Sequence, residues 1–202
     1  MPKVYAIDGI TPVVDPSAFV HPSAVLIGDV IVGARAYIGP CACLRGDFGR
    51  IVVEEGANLQ DTCVVHGFPG RDTVVGAEAT VGHGAVLHAC VVRRGALIGM
   101  NVVVNDNAEV GEEAMVAALA FVRAEERIPP RTLAAGAPAR VLRELTAQEL
   151  QWKTENMQLY QALAVRSRST MKEVEALTAP EPGRVRFDSA AIPLSELKKN
   201  HA

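Results

Sequence analysis

The stretch Val75-Gly76-Ala77-Glu78-Ala79-Thr80-Val81-Gly82-His83-Gly84-Ala85-Val86-Leu87-His88 decides the architecture. An aliphatic residue returns every six positions, at Val75, Val81 and Leu87, and glycine follows the first two. Outward from there, the series runs back through Val65, Leu59 and Val53, then Leu44, Ile38-Gly39, Val32-Gly33, Leu26 and Val20. Forward, one unit is a residue short and reaches Val92, followed by Ile98-Gly99, Val104, Val110-Gly111, Val116 and Val122. Two insertions, residues 46–51 and 67–73, interrupt it. A six-residue period suits neither an amphipathic helix nor a simple alternating strand. It suits a short strand plus a turn with one inward aliphatic per unit. Three units close a triangular coil, and coils stack about 4.8 Å apart. Gly, Asn and Asp beside the strands suit corners with unusual backbone angles. The expected fold is mainly β, a parallel β-helix.

The pattern ends near Val122, where Pro129-Pro130 and Gly136-Ala137-Pro138-Ala139-Arg140 break it. Thr146-Ala147-Gln148-Glu149 reads as a capping box. It predicts a long helix to about Leu177, with Leu150, Met157, Tyr160, Met171 and Val174 as an apolar stripe for packing. Pro180, Pro182 and Gly183 end it. The expected organisation is a β-helix domain over 1–143, a helix over 144–178 and a loosely held tail over 179–202.

The remaining composition excludes several classes. The 202 residues carry a net charge of -3 with both signs interspersed, so no basic footprint for nucleic acid exists. The longest apolar run, residues 114–122, is about half a membrane span. The N-terminus lacks the basic-then-apolar order of a signal peptide. The expectation is a soluble, cytoplasmic protein without nucleic-acid or membrane partners. Cys41, Cys43, Cys63 and Cys90 then stay reduced. A Cys-x-Cys pair can bind metal, but these residues lie within the apolar repeat and read as small core or turn fillers.

Three of the five histidines fall within one 23-residue stretch, at His66, His83 and His88. The face of the prism that each occupies follows from the repeat. Leu44, Val65 and Leu87 share face one; Val53 and Val75 share face two; Leu59 and Val81 share face three. The residue after each inward aliphatic points outward. Arg45, His66 and His88 therefore form an outward column on face one. Gln60, Asp61 and His83 belong to face three. The histidines converge only if face one of one chain packs on face three of another, a relation that closes as a trimer. The same packing sets Arg45 against Asp61 across the interface. Three neutral imidazoles with an open fourth position suit a catalytic Zn2+, and Co2+ or Fe2+ also suit imidazole.

The six-residue repeat resembles the bacterial hexapeptide family, which implies a left-handed β-helix where generic crossover rules favour the right hand. Arg45-Gly46-Asp47, Asn58-x-Gln60-Asp61, His66 and Gly82-His83-Gly84-x-x-x-His88 together resemble the γ-class carbonic anhydrase family over roughly residues 10 to 140. The resemblance implies metal ligands His66, His83 and His88, with His83 from the neighbouring subunit. It implies an Arg45–Asp61 pair between subunits, Gln60 beside the metal-bound water, and Asp47 supporting the ligands. Leu44-Arg45-Gly46-Asp47-Phe48-Gly49-Arg50-Ile51-Val52-Val53, Val65-His66-Gly67-Phe68-Pro69-Gly70 and Glu149-Leu150-Gln151-Trp152-Lys153 resemble a narrower branch, the CoA thioesterases of aerobic phenylacetate catabolism. Water on a protein-bound zinc ion has a pKa of about 7 and can attack carbon dioxide or a thioester carbonyl. Sustained hydration needs a proton shuttle, whereas a departing thiolate, with a conjugate-acid pKa of about 8.5, needs little acid help. The loops after Asp47 and His66 hold no Glu, and Asp72 is their only acid. The expected function is a metal-dependent acyl-CoA thioesterase. A γ-type carbonic anhydrase, or a hexapeptide acyltransferase or scaffold, are the alternatives. Arg50, Arg71, Arg93 and Arg94 read either as phosphate contacts or as solvated charge. Phe68 reads either as an acyl contact or as loop packing.

Overall fold

The computed structural model describes residues 2–187 and 193–197; His201 and the rest of the tail lie outside them. The chain winds into a left-handed parallel β-helix of about seven turns with one long C-terminal helix. Each face is one stack of inward aliphatics in parallel register. Leu26, Leu44, Val65, Leu87, Val104 and Val122 line face one. Val32, Val53, Val75, Val92, Val110 and Ile128 line face two. Ile38, Leu59, Val81, Ile98, Val116 and Ala134 line face three. All are buried, and each large one contributes about 1.5–3 kcal/mol by leaving water. Faces one and two form a continuous sheet because Val25–Val32 and Cys43–Val53 run through their shared corner.

Small residues such as Ala42, Ala57, Ala79 and Ala96 fill the space beside the corners, and Cys63 and Cys90 take equivalent buried places. Burial pushes the Cys63 thiol up to about 11 and that of Cys90 to about 12, so neither forms thiolate near neutrality. Cys41 is exposed, Cys43 half-buried, and all four are free.

Gly56, Gly84, Gly95, Asn101 and Asn107 supply corners with positive φ as expected, but other residue types supply equivalent ones. Glu78, Glu113, Leu119 and Arg131 hold φ between 54° and 63°, which costs an L-residue about 1–2 kcal/mol. Stacking offsets that cost: each donates its backbone N–H to the coil before it, at 2.9 Å to Glu55, Arg94, Met100 and Glu112 respectively. The glycine after an inward aliphatic serves a different purpose. A Cβ on Gly82 would stand 2.9 Å from the Met100 nitrogen, and one on Gly111 2.5 Å from the Pro130 nitrogen. Close approach of the next coil, not backbone angle, selects glycine there.

A hairpin of Thr132–Ala135 and Arg140–Glu144 closes the stack. The helix then starts at the expected capping box and spans Ala147–Thr170. It packs on face three, burying Leu150, Met157 and Ala164 and setting Tyr160 edge-on against Tyr37, which stacks on Phe19. Three polar side chains pin it to corner carbonyls two coils apart: Lys153 to Gly95, Gln161 to Gly56 and Arg168 to Ser17. Two coils rise about 9.6 Å, and seven or eight helical residues rise about 10.5–12 Å, so the two periods match. Lys153 is buried despite its charge, and desolvation lowers its pKa.

The helix ends seven residues before Leu177, leaving Met171 and Val174 outside it and exposed. Its 24 residues span about 36 Å, and seven coils span about 34 Å. Beyond the last coil nothing supports further turns, and short helical segments are marginal in water. No helix among the described residues is long and apolar enough to cross a membrane.

Candidate functional site

Parallel register places Arg45, His66 and His88 directly beside one another on three successive coils of face one. The strands alternate, so each follows a buried aliphatic and points out. His66 Nδ1 lies 3.0 Å from His88 Nε2, with the rings tilted by 49°. His66 Nε2 lies 3.0 Å from Asp47 Oδ1, and Asp47 Oδ2 accepts from Arg45 Nη1 at 2.6 Å. His88 Nδ1 meets the carboxylate of Asp106. Burial raises the Asp47 pKa, but hydrogen bonds from Arg45 and His66 outweigh it and hold the carboxyl below its ordinary value.

Face three holds the other residues. His83 Nδ1 stands 2.8 Å from Asp61 Oδ2. Gln60 is buried; it donates to Asn58 Oδ1 at 3.4 Å, and Asn58 donates to Thr80 at 2.9 Å. The structure thus brings Arg45, Asp47, His66 and His88 together and keeps Gln60, Asp61 and His83 on another face. Within the chain, Arg45 pairs with Asp47, and Asp61 with His83.

Asp106 is a site residue that the sequence reading missed. A partial signal was available: the coil after Leu87 is 17 residues long, which puts Asp106 one position past the residue in register with His88. Phe48, whose ring is 5.5 Å from that of His66, was quoted only as part of a loop.

His66 and His88 offer two of the donors that a divalent cation takes. Among the described residues, no three His, Cys, Asp or Glu side chains of one chain are arranged to hold a metal ion. Two nitrogens on one tetrahedral ion, bound at about 2.0–2.1 Å, stand about 3.3 Å apart; the His66–His88 separation is 3.0 Å. Each histidine also has a carboxylate on one ring nitrogen: Asp47 for His66, Asp106 for His88 and Asp61 for His83. That arrangement fixes the tautomer and turns the other nitrogen toward a ligand.

The architecture is that of the hexapeptide-repeat β-helix proteins. A Bacillus cereus protein provisionally named an acetyltransferase is 34% identical and superposes with a TM-score of 0.82 over 83% of this chain and 98% of its own. A hexapeptide transferase family protein from Anaplasma phagocytophilum is 38% identical with a TM-score of 0.78, over 81% of this chain and 97% of its own. Within that class, the chain belongs to the family of the carnitine operon protein CaiE. It is 56% identical to the Salmonella agona protein over 91% of this chain and 92% of that one, and 52% identical to the Proteus sp. protein over 92% and 94%. No protein-family model matches the chain.

Proposed function

We propose that this chain is a metal-dependent thioesterase that hydrolyses CoA thioesters, working as a homotrimer with its sites between subunits. His66 and His88 of one subunit and His83 of its neighbour would hold the ion, Zn2+ first, with Co2+ or Fe2+ also compatible with imidazole. Such an ion supplies a Lewis acid and makes bound water acidic, with a pKa of about 7. The chain's own residues do the remaining work. Asp47, Asp61 and Asp106 orient the imidazoles, Arg45 holds Asp47 in place, and Gln60 enters from the neighbour as a polar group to orient the reacting water.

The assembly reading draws support from face one. The outward row beside the histidine column is apolar, with Val64, Val103 and Phe121 exposed by 41%, 37% and 36%, and Leu119 at its edge by 73%. Such a stripe suits an interface. The observation that carries the reaction is the neighbourhood of His66. The acid beside it, Asp47, is tied up by Arg45 and His66, its other neighbour is the Phe48 ring, and the loops offer no Glu to shuttle protons. That favours expulsion of a thiolate over fast hydration of carbon dioxide.

The loop and helix stretches that resemble phenylacetate-branch thioesterases are similar to the phenylacetate-degradation protein PaaY, which favours aromatic acyl groups. The relatives' own name refers to a carnitine operon, so both aromatic and carnitine-derived thioesters belong in the assay. The names of the solved neighbours support a second reading, transfer of the acyl group to an amine or hydroxyl. The deciding experiment measures thiol release from a thioester panel by metal-loaded and chelated protein, with and without acceptors, and carbon dioxide hydration in parallel. Metal-dependent release without acceptor, lost in His88→Ala, is expected. Release that ignores both chelation and His88→Ala defeats the proposal.

A further inference from the structure

The two insertions in the repeat lie on adjacent coils at the corner between faces one and two, and they pack backbone against backbone. A Cβ on Gly49 would stand 2.6 Å from the carbonyl oxygens of Phe68 and Arg71, and one on Gly67 2.9 Å from the Gly49 oxygen. The second insertion is tied down further. Arg71 N donates to the Phe68 carbonyl at 3.1 Å, and Thr73 Oγ1 donates to the His66 carbonyl at 2.8 Å. On this rigid ledge Phe48 is 61% exposed. Its ring is 5.5 Å from that of His66 and tilted by 49°. An aromatic ring held in water on a tightly packed loop, against a cluster of charged and imidazole groups, gains nothing for the fold.

A cleft of about 430 Å³ opens beside it, lined by Asp47, Phe48, Arg50, Arg71 and Ile10 among others. One wall is apolar. The rest of the lining mixes charges: three carboxylates, Asp29, Asp47 and Asp72, stand with two guanidinium groups, of which Arg50 pairs with Asp29 at 3.0 Å. An exposed aromatic ring at the cleft, 5.5 Å from the His66 ring, matches a ligand with an apolar acyl end.

We infer that Phe48 reads the acyl group: its ring is the wall on which the apolar acyl portion of the thioester packs. Phe48 is thus a specificity-determining residue. This rests on the thioesterase reading above and adds to it a preference for large apolar, especially aromatic, acyl groups.

The test is a selectivity ratio, kcat/KM for phenylacetyl-CoA over kcat/KM for acetyl-CoA, in the metal-loaded protein and in Phe48→Ala and Phe48→Leu. Losing a large apolar contact should lower the ratio about ten-fold in the alanine variant, with leucine recovering most of it. A readout independent of turnover accompanies it. Calorimetric affinity for a non-hydrolysable phenethyl thioether of CoA should fall by a similar factor in Phe48→Ala, while zinc affinity stays as in the parent. If the parent hydrolyses no thioester, the thioesterase reading fails and the inference with it. If the parent is active but the ratio and the analogue affinity are unchanged in Phe48→Ala, the inference alone is overturned.

Discussion

Replacing Glu149 by glutamine tests how the helix is fastened to the β-helix. Its carboxylate accepts two parallel hydrogen bonds from Arg143, at 2.7 and 2.8 Å, and caps the Thr146 backbone N–H at 3.0 Å. The Arg143 fork is the largest cause that holds its pKa at about 2 instead of 4.5, with burial opposing it and Thr146 assisting. A displacement of that size corresponds to roughly 3 kcal/mol at 1.36 kcal/mol per pH unit. The carboxylate is 7% exposed but the Arg143 side chain is 42% exposed, and solvent screening on that side reduces the expectation to about 2 kcal/mol. Because the folded pKa is depressed, the stabilisation is fully present above pH 4.5 and fades as pH falls toward 2. Glutamine retains an acceptor for the cap and loses the ion pair; Glu149→Ala loses both, costing about 1 kcal/mol more. Urea unfolding followed by far-ultraviolet circular dichroism should show a gap of about 2 kcal/mol between parent and Glu149→Gln at pH 7, closing near pH 2. A gap that is absent at pH 7, or that does not change with pH, refutes the reasoning.

Three further outcomes are expected. Asp106→Asn should weaken zinc binding about 10–100-fold in a chelator competition, as loss of a carboxylate behind a ligating histidine does, and leave the trimer's mass unchanged. Gly111→Ala should lower stability by about 1–3 kcal/mol in thermal or urea unfolding, because its Cβ would stand 2.5 Å from the Pro130 nitrogen. Val64→Asp, on the exposed apolar row of face one, should shift light-scattering mass from trimer toward monomer without changing the circular dichroism of the fold.

The parts legible in the sequence are those that the six-residue period controls. One inward aliphatic per unit fixes the face of every neighbour, so the column of Arg45, His66 and His88 could be read by counting, and the ladder register matches it. What stayed hidden depends on contacts between coils. Asp106 meets His88 across one turn of the stack, 18 residues away, and a search confined to the histidine cluster stops short of it. Glycine after valine resembles a corner residue until the next coil is seen to pass within 3 Å of Gly82. The sequence predicts a helix reaching Leu177 because Met171 and Val174 continue its apolar stripe; the helix ends at Thr170, where the stack beneath it ends. Lys153, a charge on the buried side of that helix, is invisible to an apolar count because its partner is a corner carbonyl, Gly95, 58 residues away.

The central claim is that each site joins His66 and His88 of one subunit to His83 of the next. Mixed trimers of His83→Ala and His88→Ala subunits, coexpressed and purified through two different tags, test it most directly. Each variant alone should be inactive. In a ring, any mixed trimer contains one interface where an intact face one meets an intact face three. Because purification through both tags removes the homotrimers, the mixed trimers should regain about one third of the parent's sites, read as metal content and thioester hydrolysis per chain. Mixed trimers as inactive and metal-free as either parent variant, or full activity in His83→Ala alone, would contradict the account.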